Sequence, residues 1–177
     1  MTQKISDAEI TYGDTYWDDM KFPFSRTKRG SSDLPHFDCT NIGLLFPQND
    51  ATEIVYMIGQ MTHAWKEGTS IYPHIHYIQT SASIPVFKLS YRWYNNGDTV
   101  PSYTTITSTT LAFAYTSGSI LQILKFPVIV GTGKTLSSIL DMKVYRDDNV
   151  VSGDVLGKEF DIHFEINAPG SRQEYIK

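Results

Sequence analysis

Apolar and polar side chains alternate at a period of two in four segments of the chain: residues 53–61, 70–79, 87–93 and 159–166. This period is typical of half-buried antiparallel strands. In residues 159–166 we expect Phe160, Ile162, Phe164 and Ile166 to face inward and the charged residues and His163 to face outward. The Asn95-Asn96-Gly97-Asp98 stretch supplies a turn, because Asn and Gly tolerate the positive φ of tight hairpins.

Three further segments, residues 103–115, 120–130 and 136–145, are rich in apolar or Thr residues and are also predicted to be strands. The total is seven or eight strands, and no long amphipathic helix is predicted. Closely spaced strands separated by turns indicate a sandwich or barrel. We therefore predict an all-β, antiparallel β-sandwich over residues 51–177, most simply a jelly roll.

Residues 1–50 show no sustained period, and we predict an extended N-terminal arm in front of the β-sandwich domain. The segment 25–33 is polar, and Pro35 and Pro47 interrupt the residues after it. Docking of the arm's aromatics on its own domain or on a neighbouring subunit would order it, and we favour the subunit. The expected interface residues are Tyr12, Tyr16, Trp17, Phe22 and Phe24.

Composition excludes several classes of protein. With 41% hydrophobic and 19% charged residues, the chain is not expected to be disordered. A net charge of −4 argues against a nucleic-acid partner. The lone Cys39 excludes an internal disulfide. Residues 1–10 lack the apolar core of a signal peptide, and no apolar run is long enough for a membrane span, so no membrane partner is expected.

His74 and His76 are the candidate metal ligands, because residues i and i+2 of a strand share one face. With Gly68 they match the opening of the cupin metal motif, but Thr80 and Ser81 stand where that motif has its glutamate. Three explanations stay open: a cupin-like metal-dependent enzyme, a transition-metal site made by such strands of three chains around a threefold axis, or a packed, hydrogen-bonded pair near a subunit interface. No other cofactor is expected.

Other chemical motifs are incomplete, so we assign no catalytic residues and expect no enzyme. The stretch before Thr135 resembles a phosphate loop but has Val128 where glycine is required, which favours a turn. Asp161 and Glu165 flank His163 and could form an acid/base group, although a solvated face is the simpler explanation. Aromatic residues such as Trp65 and Trp93 are either core or a carbohydrate-binding platform.

Three segments resemble a family of tailed-bacteriophage virion structural proteins. They are residues 63–69 (HAWKEGT) with 73–77 (PHIHY), residues 159–166 (EFDIHFEI) and residues 170–175 (GSRQEY). The resemblance implies a virion component of the head, neck, tail or fibre attachment, with no catalytic residues. We accordingly expect a homo-oligomer, with a trimer favoured, that contacts other virion proteins. Its expected location is the virion, and the host cytoplasm during assembly. A carbohydrate-binding module is the alternative outside enzymes.

Overall fold

The computed structural model describes residues 15–29, 36–148 and 150–167. No helix in this part of the chain is long and apolar enough to cross a membrane. One 3₁₀ turn is present at Phe24–Arg26. In chain order the strands are β1 (Tyr16–Pro23), β2 (Lys28–Arg29), β3 (His36–Asp38), β4 (Gly43–Phe46), β5 (Val55–Gln60), β6 (Ile71–Gln79), β7 (Phe87–Tyr94), β8 (Thr104–Thr107), β9 (Ile120–Lys125), β10 (Ile139–Arg146) and β11 (Val155–Ile166).

The strands form two antiparallel sheets, which we name A and B. Sheet A has the order β3-β4-β11-β6-β9, with β1 also paired to β11, and sheet B has the order β2-β5-β10-β7-β8. From β4 onward the chain changes sheet at every connection except the β7–β8 hairpin. Eight strands in two sheets connected in this way form a jelly roll. The predicted all-β antiparallel sandwich is confirmed.

The core lies between the sheets and is built from the inward rows of the alternating segments. Phe160, Ile162 and Phe164 of β11 are at most 1% exposed, as the alternation predicts. The rings of Trp65 and Trp93 lie 5.4 Å apart in this core, so these two residues are not an exposed carbohydrate platform. Close aromatic packing of this kind contributes more than buried area alone.

The turn between β7 and β8 follows the prediction. The Asp98 amide donates to the Asn95 carbonyl at 3.2 Å, and Gly97 adopts φ 90°. An L side chain at that φ would strain the backbone, which explains the glycine.

Strand β5 shows that alternation alone does not tell which row is buried. Ile54, Tyr56 and Ile58 share one face, but Tyr56 and Ile58 are exposed, whereas Val55 and Met57 are buried. Both rows are apolar enough to fill a core, so packing against the opposite sheet decides between them.

The structure differs from the expected division at residue 50. Strand β1 pairs with β11 along its full length, from Tyr16 opposite Ile166 to Pro23 opposite Glu159. Strands β2, β3 and β4 also belong to the two sheets. The described part of residues 1–50 is therefore integral to the sandwich. Its strands are short or lie at an edge, where sequence alternation is weak.

The four expected interface aromatics within the described residues fall into three groups. Phe24 is 1% exposed and packs on Phe46 at 5.3 Å, so its assignment to a subunit interface is wrong. Phe22 is half-buried and packs on Phe160 at 6.1 Å within the same chain. Tyr16 and Trp17 are exposed. Tyr12 lies outside the described residues.

Candidate functional site: the His74, His76 and Asp161 cluster

Strand pairing in sheet A places a carboxylate beside the predicted histidine pair. His74 and His76 lie on the same face of β6, and β11 runs antiparallel beside it. The register puts Asp161 opposite His74 and Glu159 opposite His76. Directly opposed residues of antiparallel strands project to the same face. The outer face of sheet A therefore carries a histidine and carboxylate cluster.

Three side-chain atoms of this cluster converge. The two Nε2 atoms of His74 and His76 are 3.1 Å apart. Asp161 Oδ2 is 3.3 Å from His76 Nε2 and 3.8 Å from His74 Nε2. Although this is the outer face, the side chains of His74 and Asp161 are only 5% and 4% exposed, and that of His76 is 22% exposed. The arrangement is that of a three-ligand metal site or a buried hydrogen-bonded triad.

Burial and neighbouring charges shift the pKa values of the cluster. Burial, together with the nearby His163, lowers the pKa of His74. Burial opposes ionisation of Asp161, but the hydrogen bond from His76 prevails and holds the pKa of Asp161 below its usual range. Burial and the Asp161 carboxylate raise the pKa of Glu159. The cluster therefore favours a neutral His74 beside an ionised Asp161.

One oxygen of the cluster lacks a partner. Asp161 Oδ1 is buried and makes no hydrogen bond within the described part of the chain. A buried carboxylate oxygen left without a donor is costly. Glu159 interacts with the Asp161 carboxylate and could donate to it only in its protonated form, so no permanent donor in the described part of the chain accounts for this oxygen.

His163 lies beside the cluster but is directed elsewhere. Its ring centroid is 4.4 Å from that of His74, while its Nε2 lies 2.9 Å from Asp19 Oδ1 on β1. Glu165 pairs with Lys66 at 2.9 Å. The acid/base group considered for His163 with Asp161 and Glu165 is therefore not formed.

A groove of about 600 Å³ opens next to His74 on the same face. Trp17 and Tyr72 form one wall, with their ring centroids 5.3 Å apart in an edge-to-face arrangement. We call this feature the aromatic groove. Its lining includes Trp17, Tyr72, His74, Ile123, Lys125 and His163.

Two other positions have local structural explanations. Lys134, in the stretch that resembles a phosphate loop, donates from Nζ to the Trp93 carbonyl at 2.8 Å. His63 Nε2 and Ser137 Oγ are 2.7 Å apart, and the sequence does not predict this pair. Ser137 is 5% exposed and lies in a turn at φ 57°, so this hydroxyl is closed to a substrate and holds the turn.

Sequence reasoning identified His74 and His76 but missed Asp161 as their partner. Asp161 was assigned to the row of outward polar residues on its own strand. The missing information was the pairing of β6 with β11, which neither segment reveals on its own.

No protein-family model matches the chain, and no curated protein matches its sequence. Two solved structures are similar in fold. The CBM36-1 domain of a multidomain xylanase from the hindgut metagenome of Trinervitermes trinervoides has a TM-score of 0.44 and 12% identity, over 87% of this chain and 100% of that chain. Eiger TNF from S. frugiperda has a TM-score of 0.34 and 9% identity, over 90% of this chain and 99% of that chain. At these values the similarity concerns the fold alone.

Proposed function

We propose that the chain is a non-enzymatic structural subunit of a bacteriophage virion, which assembles with copies of itself as a trimer or larger ring and with other virion proteins. The observation that carries the self-assembly part of the proposal is the aromatic groove. Trp17 and Tyr72 on its wall are 49% and 42% exposed. Large aromatics exposed side by side on a sheet face are typical of an interaction surface.

The rim of the groove favours a second copy of this chain as the occupant. Lys125 lies at the groove, while Asp19 and Glu165 lie on the neighbouring strands of the same face. One face thus carries both an apolar centre and charges of both signs. Such a surface on one copy can bury its aromatics against a neighbouring copy and pair opposite charges at its edge.

Strand edges are less suited to assembly than this face. In sheet B the outermost strands are β2 and β8, of two and four residues. On the β9 side of sheet A, the amides of Thr109 and Ala112 donate to β9 carbonyls at 2.7 and 2.9 Å and cover that edge. On the opposite side, β1 carries Asp18, Asp19 and Lys21. Short, covered or charged edges oppose strand-to-strand association.

The virion role rests on the sequence resemblance of residues 63–69 and 159–166. These two segments are in contact: the Lys66 amide donates to the Glu165 carbonyl at 2.8 Å, and Trp65 forms a bridge with Ile166. Glu165 is opposite Trp17 on β1. These two segments therefore form one unit that borders the aromatic groove, which favours a shared role for this face. Residues 170–175, which also carry the resemblance, lie outside the described residues.

Mass spectrometry of purified particles tests the virion role. We expect peptides of this chain in particles that survive density-gradient purification, at many copies per particle. Absence from such particles, with the chain recovered only in the soluble lysate, would contradict the proposal.

A carbohydrate-binding module is a second candidate, favoured by the same groove. An aromatic wall next to polar groups such as Lys125 and His163 is a common arrangement for binding a sugar ring and its hydroxyls. Glycan-array binding that is lost in Trp17→Ala and retained in Ile58→Ser, on the outer face of sheet B, would favour this function over self-assembly.

A further inference from the structure

We propose that His74, His76 and Asp161 bind one divalent first-row transition-metal ion within a single chain. Their three ligand atoms lie within 4.8 Å of one another. This site does not depend on the structural role proposed above, because all three ligands come from the same chain.

The spacing of the ligand atoms suits such an ion. Two ligands bonded at about 2.0–2.1 Å in tetrahedral geometry are held about 3.3–3.4 Å apart. The observed separations are 3.1, 3.3 and 3.8 Å. Small side-chain rotations therefore bring all three atoms to bonding distance, and no strand needs to move.

A second contact prepares His74 as a ligand. Its Nδ1 lies 3.4 Å from the Tyr72 carbonyl oxygen, to which an N–H at that position would donate weakly. With the proton on Nδ1, Nε2 carries the lone pair and faces His76 and Asp161. Metal-bound histidines generally hold their second ring nitrogen in this way.

The partnerless oxygen of Asp161 is an independent indication of a ligand. The Asp161 side chain is 4% exposed, and its Oδ1 has no hydrogen-bond donor in the described part of the chain. Lys21, which is opposite Asp161 in register, has its amino group 3.8 Å from Asp19. A cation bound through both carboxylate oxygens, or through Oδ2 with a bound water on Oδ1, would remove the cost of this buried oxygen.

The donor set selects the class of ion. Two imidazoles and one carboxylate suit zinc, iron(II), cobalt or nickel, whereas calcium and magnesium prefer oxygen ligands throughout. Three protein ligands leave at least one position for water. The aromatic groove reaches His74, and the His76 side chain is 22% exposed, so an ion has a path to the cluster.

The geometry opposes the six-imidazole site on a threefold axis that the histidine spacing also allows. Such a site needs both histidines to project outward from the chain. The His74 side chain is 5% exposed, and both Nε2 atoms are directed toward Asp161 of the same chain. The two arrangements differ in stoichiometry: one ion per chain here, against one ion per three chains on the axis.

The test uses the full-length protein, stripped with a chelator and titrated with cobalt(II) or zinc(II) alone. We expect elemental analysis to give one ion per chain. The cobalt(II) form should have a visible absorption spectrum typical of a coordination site of low symmetry. Asp161→Asn and His76→Gln each remove one ligand, and each should weaken binding by at least about 100-fold. His36→Ala removes an exposed histidine of β3 and is the matched control, with unchanged binding expected.

Thermal unfolding with and without zinc is a second measurement. It remains informative if a variant is less stable, because each protein is compared with itself. At a zinc concentration about 100 times the dissociation constant, the parent's midpoint should rise by about 5–10 °C, and the midpoints of the two ligand variants should not move. Three results would overturn the proposal: no saturable binding by the parent, one ion per three chains, or equal binding by the parent and Asp161→Asn. The first of these would identify the cluster as a hydrogen-bonded triad without metal.

Discussion

Arg146 is fully buried, and its guanidinium is satisfied entirely by neighbouring groups. Nε donates to Asp148 Oδ2 at 2.9 Å, and Nη1 donates to the carbonyls of Phe46 and Gly153 at 3.1 and 2.6 Å. Nη2 donates to Asp148 Oδ1 and to the Val151 carbonyl. This ion pair joins the end of β10 to the loop that precedes β11 and to β4.

Breaking this pair should destabilise the protein strongly, because either partner alone is left as a buried, unpaired charge. We expect Arg146→Met or Asp148→Asn to lower the free energy of unfolding by about 3–5 kcal/mol, measured by urea denaturation. Asp147→Asn, which breaks the half-buried pair with Lys88, is the control and should have a smaller effect because solvent still screens that pair. A loss in Asp148→Asn no larger than that in Asp147→Asn would show that the pair is not a major contributor.

The ionisation of Asp148 should also make the stability of the protein depend on pH. Burial opposes its ionisation, but the Arg146 guanidinium and the amides of Val86, Val150 and Val151 prevail and lower its pKa. In the unfolded chain the pKa of an aspartate is about 3.9. The ionised form thus stabilises the folded state fully above that pH, and this contribution is lost as pH falls toward the lower folded pKa.

We therefore expect the parent to lose stability more steeply than Asp148→Asn as pH falls below about 4, since the variant has no carboxylate to protonate. Urea denaturation midpoints of both proteins, measured from about pH 3 to about pH 7, check this difference because the interval includes the aspartate pKa. Parallel profiles for the two proteins would show that Asp148 has the same pKa folded and unfolded.

At the scale of elements, β1 and the turn after it hold the sandwich together. β1 adds a strand beside β11, and its Met20 and Phe22 approach Gly59 of sheet B so closely that a Cβ there would lie 2.5 Å from Met20 Sδ. Phe24 fills the core beside Phe46 and Gly157. These contacts join the two sheets.

Deleting residues 1–30 should consequently unfold the protein or leave it barely stable. Loss of a buried Phe side chain such as Phe24 costs about 3–5 kcal/mol by itself, against a typical total of about 5–15 kcal/mol. Far-UV circular dichroism and urea denaturation measure the effect. Deleting residues 1–14 leaves every described strand in place and serves as the control. An intact, cooperative transition in the longer deletion would instead support a separable arm.

The sequence predicted long strands better than short ones. Residues 159–166 alternate over most of β11, so both their conformation and their inward row were predicted correctly. Strands β2 and β3 have two and three residues, too few for a period to be recognised. In β1, the row that contains apolar Met20 and Phe22 also contains Asp18, and the edge position removes the demand for strict alternation.

The candidate site was predictable in part, because its residues come from two strands. The shared face of His74 and His76 follows from their spacing within one segment. The role of Asp161 depends on the register between β6 and β11. These strands are distant in sequence, and only the connections of the complete jelly roll make them neighbours. Its burial likewise depends on neighbours from other strands, and local polarity predicted a solvated residue instead.

At the scale of the whole molecule, the two outer faces of the sandwich differ. On sheet B the Lys143 amino group lies 3.8 Å from the Tyr103 ring centroid, and Arg92 Nε donates to Asp141 at 2.7 Å. The polar and aromatic groups of that face largely satisfy one another. On sheet A the exposed Trp17 and Tyr72 border a groove, and this is the face to which our proposal of self-assembly applies.

Multi-angle light scattering of the purified chain tests this central claim most directly. We expect the parent to have a mass that is a multiple of the 20.0 kDa chain, three times that mass for a trimer. The double variant Trp17→Ser, Tyr72→Ser should shift to 20.0 kDa, because it removes the apolar wall of the groove. Ile58→Ser, which removes an exposed apolar residue from sheet B, should keep the parent mass. A parent that stays at 20.0 kDa at every concentration, or a double variant with the mass of the parent, would contradict the account.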